Sequence, residues 1–557
     1  MANYTRDTPK EVQLPVRLPL VGVLNQRSDS GGIDSRLING YVEKGQDGEI
    51  RVTKRQGYSL YDTFSGNGSG LLQTTSALYS VFGTSLYQDS VLAGTDTLLG
   101  AGALSHLLEV STGASSRAII INNGLALHYW DGTTFKRIPF QGETAGPLTA
   151  SITSGSAVVA LASTAALSKY SDVTGTGIAA NTTIASIDSS TQITLSLAAT
   201  ATNASAALSF VLAGPPFIVA SGLFQPQLVP RSQILNRSLY VMSLSGKIAG
   251  ADPDDPLAWN PLNQIIAYAT LTNATQFARQ LTYLIAFKQD GYEFFRDEGN
   301  SPGSPLARVE GLQGDVGCFG GHTLQEIDDK IIWISTSRVA DPGVWMLTGG
   351  KLREVSTPAI RRLLPAYLDG DLTTYAFPME GHLFYVIASY NRLDALPFSL
   401  VYDVTSDFWS YWRTSASDGL PFVAAAVAAS PARALLQHET NGKIYELDVA
   451  NVTDVGSTFD MDIYPPEFDA NMLTSKYLSK MYVSGDQQTG SILKVRVNDN
   501  NQQPGSWTNW REFDLSSARP RIDECGSFYK RSFHFRHSSA TRCRIEAVEM
   551  DLQPGTL

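Results

Sequence analysis

Length, composition and charge favour a large protein built mainly from strands. The chain has 557 residues, of which 43% are hydrophobic and only 17% charged, with 47 glycines, 23 tyrosines and 23 phenylalanines. That length allows several domains or one large repeat architecture. The composition favours strands and tight turns over long surface helices. The net charge of -11, without a block of like charges, argues against ordinary nucleic-acid binding, although an acidic protein can still surround DNA without gripping it.

The three cysteines and the start of the chain bear on where the protein folds. Cys318, Cys525 and Cys543 are too few and too far apart for a disulfide framework or a metal knuckle, so we expect reduced core residues. The first 24 residues carry charges where a signal peptide needs an apolar core. The longest apolar stretch, Phe422–Ala429, is too short to span a bilayer. We therefore expect folding in a reducing cytoplasm without membrane insertion.

The first predicted elements are an N-terminal arm with the first strands in residues 1–75, and the first part of a repeat architecture in residues 76–146. Residues 76–92 are a weak candidate for a small sheet. Residues 116–138 are clearer, because the pairs Asn123-Gly124 and Asp131-Gly132 are typical of hairpin turns. They separate an apolar strand, an aromatic strand and a polar strand.

A change of composition then interrupts this pattern. Residues 147–213 are rich in Ser, Thr, Ala, Val and Ile, and only Lys169, Asp172 and Asp188 are charged. Runs such as SAVVALAS and TTIASIDSSTQITLSL place β-forming residues around turns. The segment predicts a small inserted β-sandwich of Ig-like character, placed at the surface of the larger fold.

The pattern of small sheets returns in residues 214–469. It is visible in residues 237–262, 281–299, 329–360, 381–414 and 432–448. With the earlier units this gives six or seven antiparallel sheets, with six favoured, and none of them can bury its faces alone. Radial stacking in a β-propeller buries the faces of such sheets against one another. A chain of β-sandwiches would explain the hairpins as well. The predicted class is therefore all-β, with the propeller as its main body.

One unit, residues 329–360, shows the form most completely. The strand-like runs IIWIS and GVWML are followed by the turn pair Gly349-Gly350 and by the polar strand KLREVS. We expect Trp333, Trp345 and Ile360 to lie in the core.

The C-terminal residues 470–557 predict a further β-rich segment, with alternating strands in YLSKMYVSG, SILKVRVND and CRIEAVEMDL. Within it, residues 519–544 contain seven basic residues and only two acidic ones, Asp523 and Glu524. One interpretation is solvated strand edges and salt bridges between subunits. The other is contact with DNA or with a charged ring. The candidate residues for either role are Arg519, Arg521, Lys530, Arg531, Arg536, Arg542 and Arg544.

Motifs that would carry catalysis are absent from the sequence. There is no GxSxG elbow, HExxH helix or Walker loop. His534 and His537 are the only neighbouring histidines, and their odd spacing places them on opposite faces of a strand, which disfavours a shared metal. We therefore predict a protein that is not an enzyme and holds no cofactor or metal.

Paired carboxylates leave one enzymatic alternative open, a propeller that cleaves polysaccharides. The candidates are Asp252, Asp254, Asp255, Asp328, Asp329, Asp403 and Asp407. Their setting is equally typical of tight loops and hairpin turns. The repeated S-x-D-x-G-x-x-W boxes of sialidases are missing from the sequence.

The unit at residues 329–360 also resembles a known family. Its run GVWMLTGGKLREVSTPAI, preceded by IIWIS, is similar to the signature of the packaged-DNA stabilisation proteins that form the tail nozzle of short-tailed phages. The positions that match are Trp333, Gly343, Trp345, Gly349, Gly350, Ser356, Thr357, Ala359 and Ile360. VYDVTSDFWSYW, RLINGYVEK and KRQGYSLY also resemble stretches of that family, so the likeness runs from about Arg36 to Thr414 without the insertion. Similar Ser/Thr-rich insertions occur in many phage tail proteins.

The resemblance implies a structural virion protein of the phage tail, assembled in the host cytoplasm. Six propeller subunits would form a ring below the portal and adaptor rings, retain the packaged DNA and line the channel through which double-stranded DNA is ejected. The ring would also anchor needle, fibre or spike proteins. Two alternatives remain at this point: a propeller-based adhesin that binds the host, and the polysaccharide-cleaving enzyme.

Overall fold

The computed structural model describes residues 16–22, 35–45, 48–101, 104–217, 228–320, 322–336, 342–368, 371–390, 397–416, 418–429, 432–472, 474–503 and 505–554. Within these ranges the chain forms 46 β-strands and one short α-helix. The all-β class predicted from the sequence is confirmed.

The N-terminal strands are short and do not form a sheet of their own. They are β1 (Val16–Leu18), β2 (Arg36–Ile38), β3 (Gly40–Lys44), β4 (Ile50–Lys54) and β5 (Tyr58–Thr63). β3 and β4 pair as a hairpin, and the others join strands from distant parts of the chain.

Blades 1 and 2 of the propeller follow directly. Blade 1 contains β6 (Gly68–Gln73), β7 (Leu78–Phe82), β8 (Ser85–Gln88) and β9 (Val91–Thr95). Blade 2 contains β10 (His106–Ser111), β11 (Arg117–Asn122), β12 (Leu127–Trp130) and β13 (Phe135–Ile138). Each is an antiparallel meander. The first blade thus begins at Gly68, before the boundary drawn from the sequence.

The Ser/Thr-rich insertion follows blade 2. Its strands are β14 (Thr144–Ile152), β15 (Val158–Leu161), β16 (Asp172–Thr174), β17 (Ile184–Ser189), β18 (Gln192–Leu195) and β19 (Asn203–Val211). They form one sheet in the order β16-β19-β14-β15-β18-β17. Hydrogen bonds from Val173 N to Thr182 O (2.8 Å) and from Ile184 N to Ser171 O (2.9 Å) link its two ends. The segment predicted as a small sandwich is therefore a closed six-stranded sheet around its own apolar core.

Blades 3, 4 and 5 are again four-stranded meanders. Blade 3 contains β20 (Gln233–Leu235), β21 (Ser238–Met242), β22 (Lys247–Gly250) and β23 (Gln264–Ile266). Blade 4 contains β24 (Ala274–Gln280), β25 (Tyr283–Lys288), β26 (Tyr292–Asp297) and β27 (Leu306–Gly314). Blade 5 contains β28 (Gln325–Ile327), β29 (Lys330–Ile334), β30 (Val344–Thr348) and β31 (Lys351–Glu354), and is followed by helix α1 (Pro358–Leu368).

Blades 6 and 7 complete the ring. Blade 6 contains β32 (Asp371–Met379), β33 (His382–Tyr390), β34 (Ser399–Asp403) and β35 (Phe408–Trp412). Blade 7 takes three strands from this region, β36 (Phe422–Ala429), β37 (Ala432–His438) and β38 (Lys443–Leu447), and its fourth strand is β5 from the N-terminal part of the chain. The two distant segments thereby close the propeller within one sheet.

Buried apolar clusters lie between successive blades around the whole ring. Seven such clusters join blades 1–2, 2–3, 3–4, 4–5, 5–6, 6–7 and 7–1. In the last, Leu78 and Phe82 of blade 1 pack with Leu435 and Ile444 of blade 7. The propeller has seven blades, so the larger of the two numbers expected from the sequence is correct and the favoured number, six, is wrong. The sequence reading did not pair β5 with a blade whose other strands lie almost 400 residues later.

The unit at residues 329–360 supplies three of the four strands of blade 5, and the first strand, β28, precedes it. Gly349 and Gly350 have φ of +54° and +80°, the conformation that a two-residue hairpin turn between β30 and β31 requires. Trp333 is fully buried and donates a hydrogen bond from Nε1 to Gly317 O (3.0 Å). Trp345, its cross-strand partner, is only half-buried, and Ile360 is buried but lies on α1 and not on a strand.

The C-terminal strands build a second body with the N-terminal ones. They are β39 (Met461–Tyr464), β40 (Lys476–Gly485), β41 (Ile492–Asn498), β42 (Arg511–Asp514), β43 (Arg521–Asp523), β44 (Ser527–Phe528), β45 (Ser532–His537) and β46 (Arg544–Pro554). β1, β3, β4, β40, β43, β44 and β46 form one sheet, and β2, β39, β45, β41 and β42 form the part of another that faces it. One large apolar cluster fills the space between them. We call this body the terminal sandwich.

The second sheet of the terminal sandwich continues into the propeller. β2 lies parallel to β35, the outermost strand of blade 6, and Asn39 N donates to Tyr411 O (2.7 Å). Nine strands from the inner edge of blade 6 to β42 therefore form one continuous sheet.

Candidate functional site

The basic residues singled out in the C-terminal segment all lie in or beside the terminal sandwich, and most of them are in ion pairs. Arg531 is buried, and its guanidinium donates to both carboxylate oxygens of Asp499, at 2.7 and 2.9 Å. Lys530 pairs with Glu467. Their charges are neutralised by carboxylates of the same chain.

The remaining candidates do not form one patch. Arg519 is exposed, lies over the ring of Tyr482 (4.4 Å to the centroid) and lines a cleft that also holds Arg17 and three glutamates. Arg521 is exposed beside Asp523 (3.5 Å). The structure thus distributes the exposed arginines over separate surfaces.

Two further arginines line a different cleft, between the propeller and the terminal sandwich. Arg542 donates to the backbone oxygen of Val449, and Arg544 pairs with Asp486 (3.0 Å). This cleft also contains Glu43 and Glu380. The cleft therefore contains charges of both signs and lies between the two bodies of the chain.

Arg536, the last candidate, belongs to a buried cluster that sequence reasoning missed. It donates to Asp462 at 2.6 Å, and the same carboxylate accepts from His534 Nε2 (2.8 Å) and from Arg413 (2.9 Å). Arg413 follows β35 in blade 6, whereas Asp462 and His534 belong to the terminal sandwich. Asp462 therefore joins the two bodies of the chain.

The electrostatics of this cluster follow from burial and pairing. Burial of Asp462 would raise its pKa, but hydrogen bonds from His534 and Arg536 outweigh that effect and lower the pKa to about 2. Burial lowers the pKa of His534, which is therefore neutral near pH 7. The neutral ring suits its partners, because Nε2–H donates to Asp462 and Nδ1 accepts from Arg496 Nε (3.0 Å).

A second buried pair lies at the same junction. Arg55 and Asp454 are both almost fully buried, and two hydrogen bonds of 2.7 and 3.0 Å connect them. Arg55 also donates to Asn39 Oδ1 (3.0 Å) and to the backbone oxygen of Arg413 (2.9 Å). We call the Asp462 cluster and this pair together the junction cluster. It connects residues before β5, after β35 and after β38, so it ties the chain ends to the propeller.

Some of the carboxylates considered for polysaccharide cleavage are held by polar neighbours at separate places. Asp252 accepts from Lys169 Nζ and Tyr170 OH, both at 2.8 Å. Asp403 is bonded to His382 Nδ1 and to Ser406 Oγ, both at 2.6 Å, so this serine hydroxyl donates to the carboxylate and is not presented to the histidine as in a catalytic triad.

Three of the remaining candidate carboxylates have pKa values shifted away from that of a catalytic acid. Hydrogen bonds from basic neighbours lower the pKa of Asp254, Asp329 and Asp407. A catalytic acid needs the opposite shift. Asp255 accepts from Leu257 N (3.2 Å), and Asp328 has a φ of +55°, as turn residues do.

The described ranges contain no group of three or more His, Cys, Asp or Glu side chains placed to hold a metal ion. His534 and His537 bond to different partners, Asp462 and Ser491. The three cysteines are unpaired; Cys318 and Cys543 are buried and Cys525 is half-buried.

The comparisons with known proteins agree with the propeller. Residues 237–452, which run from blade 3 to just beyond blade 7, match the family model described as "Bacteriophage P22 Gp10, beta-propeller". The match suggests a structural protein of a phage tail. No curated protein matches the chain.

Solved structures that align with this chain do so at low scores. The computationally designed protein Ika8 is 11% identical, with 71% of this chain and 100% of that one covered and a TM-score of 0.31. The N-terminal domain of Nup159 is 7% identical, with 74% and 98% covered and a TM-score of 0.35. The WD40 domain of Toxoplasma gondii coronin is 9% identical, with 77% and 87% covered and a TM-score of 0.27. The fold assignment therefore rests on the sheets themselves and on the family model.

The described part of the chain contains no helix with the length and apolar character needed to cross a membrane. Its single helix, α1, has eleven residues and follows blade 5.

Proposed function

We propose that this protein is a structural tail nozzle subunit of a short-tailed phage. Six copies form a ring below the portal and adaptor rings, retain the packaged DNA, and line the channel through which the duplex leaves. The ring also anchors needle, fibre or spike proteins. The observation that carries the proposal is the match of residues 237–452 to the Gp10 propeller family.

The charge distribution supports a channel through which DNA slides. The chain carries a net charge of -11, and buried or paired partners neutralise Arg531, Lys530 and Arg536. A wall with few free cations does not hold the phosphate backbone, because phosphate contacts by Lys and Arg dominate DNA affinity. An acidic ring therefore guides the duplex without retarding it.

The ion pairs and the pKa shifts of three candidate carboxylates favour this structural role over polysaccharide cleavage. A glycosidase needs two facing carboxyl groups, one of them with a raised pKa. Asp254, Asp329 and Asp407 have lowered pKa values instead, and each of them pairs with a basic side chain.

Oligomeric state and position in the virion test the proposal. Native mass spectrometry of the purified 60.2 kDa chain, alone and with the adaptor protein of the same phage, should show assemblies of six copies. Cryo-electron microscopy of virions should then place the propeller on the tail axis. A trimer, or density away from the axis, would contradict the nozzle and favour a host-binding adhesin.

A further inference from the structure

The innermost strands of the seven blades surround an axial channel of about 210 Å³. The described residues that line it come from every blade or from the segment directly before a blade, and none of them is Asp or Glu. Among these described residues, Arg231, which precedes β20, is the only one with a permanent charge. The described lining is therefore polar and carries one cationic side chain, in a protein that is acidic as a whole.

The guanidinium of Arg231 is fixed by one hydrogen bond, and its Nε donor has no acceptor. Its Nη1 donates to Leu324 O (3.0 Å). Its Nε lies 3.3 Å from Glu326, outside the channel lining, but makes no hydrogen bond. Glu326 also accepts from Gln233 Nε2 (2.5 Å) and Arg279 N (3.2 Å), so this carboxylate is shared among several donors.

Two histidines beside Arg231 are neutral near pH 7. Burial, and then the positive charge of Arg231, lower the pKa of His322 to about 4 and the pKa of His106 well below its usual range. His322 Nε2 accepts from Leu104 N–H (3.2 Å), which leaves the proton on Nδ1. His106 Nδ1 has no hydrogen-bond partner. These rings therefore add hydrogen-bonding capacity without adding charge.

Two deeply buried side chains in the channel lining also lack partners. Ser105 is 7% exposed and Gln276 is 1% exposed, and neither Ser105 Oγ nor Gln276 Oε1 makes a hydrogen bond. A buried polar group without a partner is destabilising, because it loses the hydrogen bonds that it makes to water in the unfolded chain. The serine hydroxyl can donate, and the amide of Gln276 can turn to present its NH2 group.

We propose that the axial channel binds a small free oxyanion, a phosphate or a carboxylate, through the guanidinium of Arg231 and the hydroxyl of Ser105. The described lining supplies donors and one cation, and Glu326, the carboxylate beside that cation, lies outside it, so the site suits an anion and not a metal ion or an ammonium group. Gln276 and His106 supply the remaining donors. This site lies within one propeller and is independent of the assembly proposed above.

Isothermal titration of the full-length chain with inorganic phosphate and with acetate tests the site, at constant ionic strength set by sodium chloride. We expect saturable binding of one anion per chain to at least one of the two. Arg231→Met should weaken it by about tenfold or more, and Ser105→Ala by a smaller factor, because a charge-assisted hydrogen bond contributes more than a neutral one. Which anion binds more tightly identifies the class.

Arg296→Met is the matched control, because Arg296 is an exposed arginine of neighbouring blade 4 paired with Glu298 and does not line the channel. It should bind like the wild type. If the circular dichroism spectrum shows that Arg231→Met does not fold, the anion affinity of Ser105→Ala alone tests the proposal. Absence of heat with both anions would show that water fills the channel. Equal binding by wild type, Arg231→Met and Ser105→Ala would show an adventitious ion only. Either result overturns the proposal.

Discussion

Two β bodies attach to the propeller, and they attach by different means. The terminal sandwich shares a continuous sheet with blade 6 and is joined to it by the buried junction cluster. The closed sheet of the insertion has its own core and makes a half-exposed ion pair with blade 3, Lys169 to Asp252. The sandwich is therefore part of the propeller's structure, whereas the insertion is a separable addition.

The largest expected effect comes from breaking the buried pair of the junction cluster. Arg55→Ala leaves Asp454 buried without its partner, so we expect a loss of about 3–5 kcal/mol in the free energy of unfolding. The midpoint of denaturant unfolding, followed by tryptophan fluorescence, measures it. Arg296→Ala removes an exposed pair and should cost at most about 1 kcal/mol. Equal losses in the free energy of unfolding for the two variants would show that burial of the pair at the junction does not increase its contribution to stability.

This contrast also shows what could be predicted from the sequence. Strands that pair with their neighbours leave a local signature, so the hairpins of blade 5, with Gly349 and Gly350 at the turn, were visible. The pairing of β5 with β38 and of β1 with β46 leaves no local signature in the sequence, because these partner strands are hundreds of residues apart. The preference for six blades over seven came from that limit.

The candidate site was predicted less well than the fold. The basic stretch that contains Arg531 and Arg536 was visible, but their partners, Asp499 and Asp462, lie outside it, so the sequence could not show that these charges are paired. Asp462 itself stands in an ordinary run, FDMDIY. Its role arises only when β39 lies between β2 and β45.

The free energy that Asp462 contributes to the junction between the sandwich and the propeller should depend on pH. The folded-state pKa of Asp462, about 2, lies below its ordinary value of 3.8, so the stability it contributes is present above about pH 4 and is lost as the pH falls toward 2. That contribution is about 2 kcal/mol. Asp462→Asn should therefore be less stable than the wild type at pH 7, and the gap should narrow between pH 4 and pH 2.

Denaturant unfolding at a series of pH values measures that gap. Asp523→Asn, at an exposed carboxylate of the same sandwich, is the control and should show almost no gap at any pH. A gap for Asp462→Asn that stays constant down to pH 2 would mean that the charge of this carboxylate does not stabilise the junction.

A smaller effect is expected where the insertion meets blade 3. Lys169→Met removes the ion pair with Asp252, in which the lysine side chain is 32% exposed. Exposed and half-exposed pairs contribute about 0–1 kcal/mol, so the melting temperature should change very little. Differential scanning calorimetry measures it. A loss as large as that of Arg55→Ala would mean that the insertion, too, is tied into the propeller's structure.

The smallest effect on the propeller is expected from removing the insertion altogether. Its first and last strands lie side by side, with Thr144 opposite Val211 and a hydrogen bond from Gly142 N to Leu212 O (3.2 Å), so a short glycine linker can join the stem after residues 144–211 are deleted. Because the deleted strands pair only with one another and pack around their own core, the seven blades keep their clusters. Calorimetry should show the propeller transition within a few degrees of the wild type, with the ability to form rings retained in native mass spectrometry. A deletion variant that fails to fold, when Lys169→Met folds normally, would show that the insertion supports blades 2 and 3 through its stem.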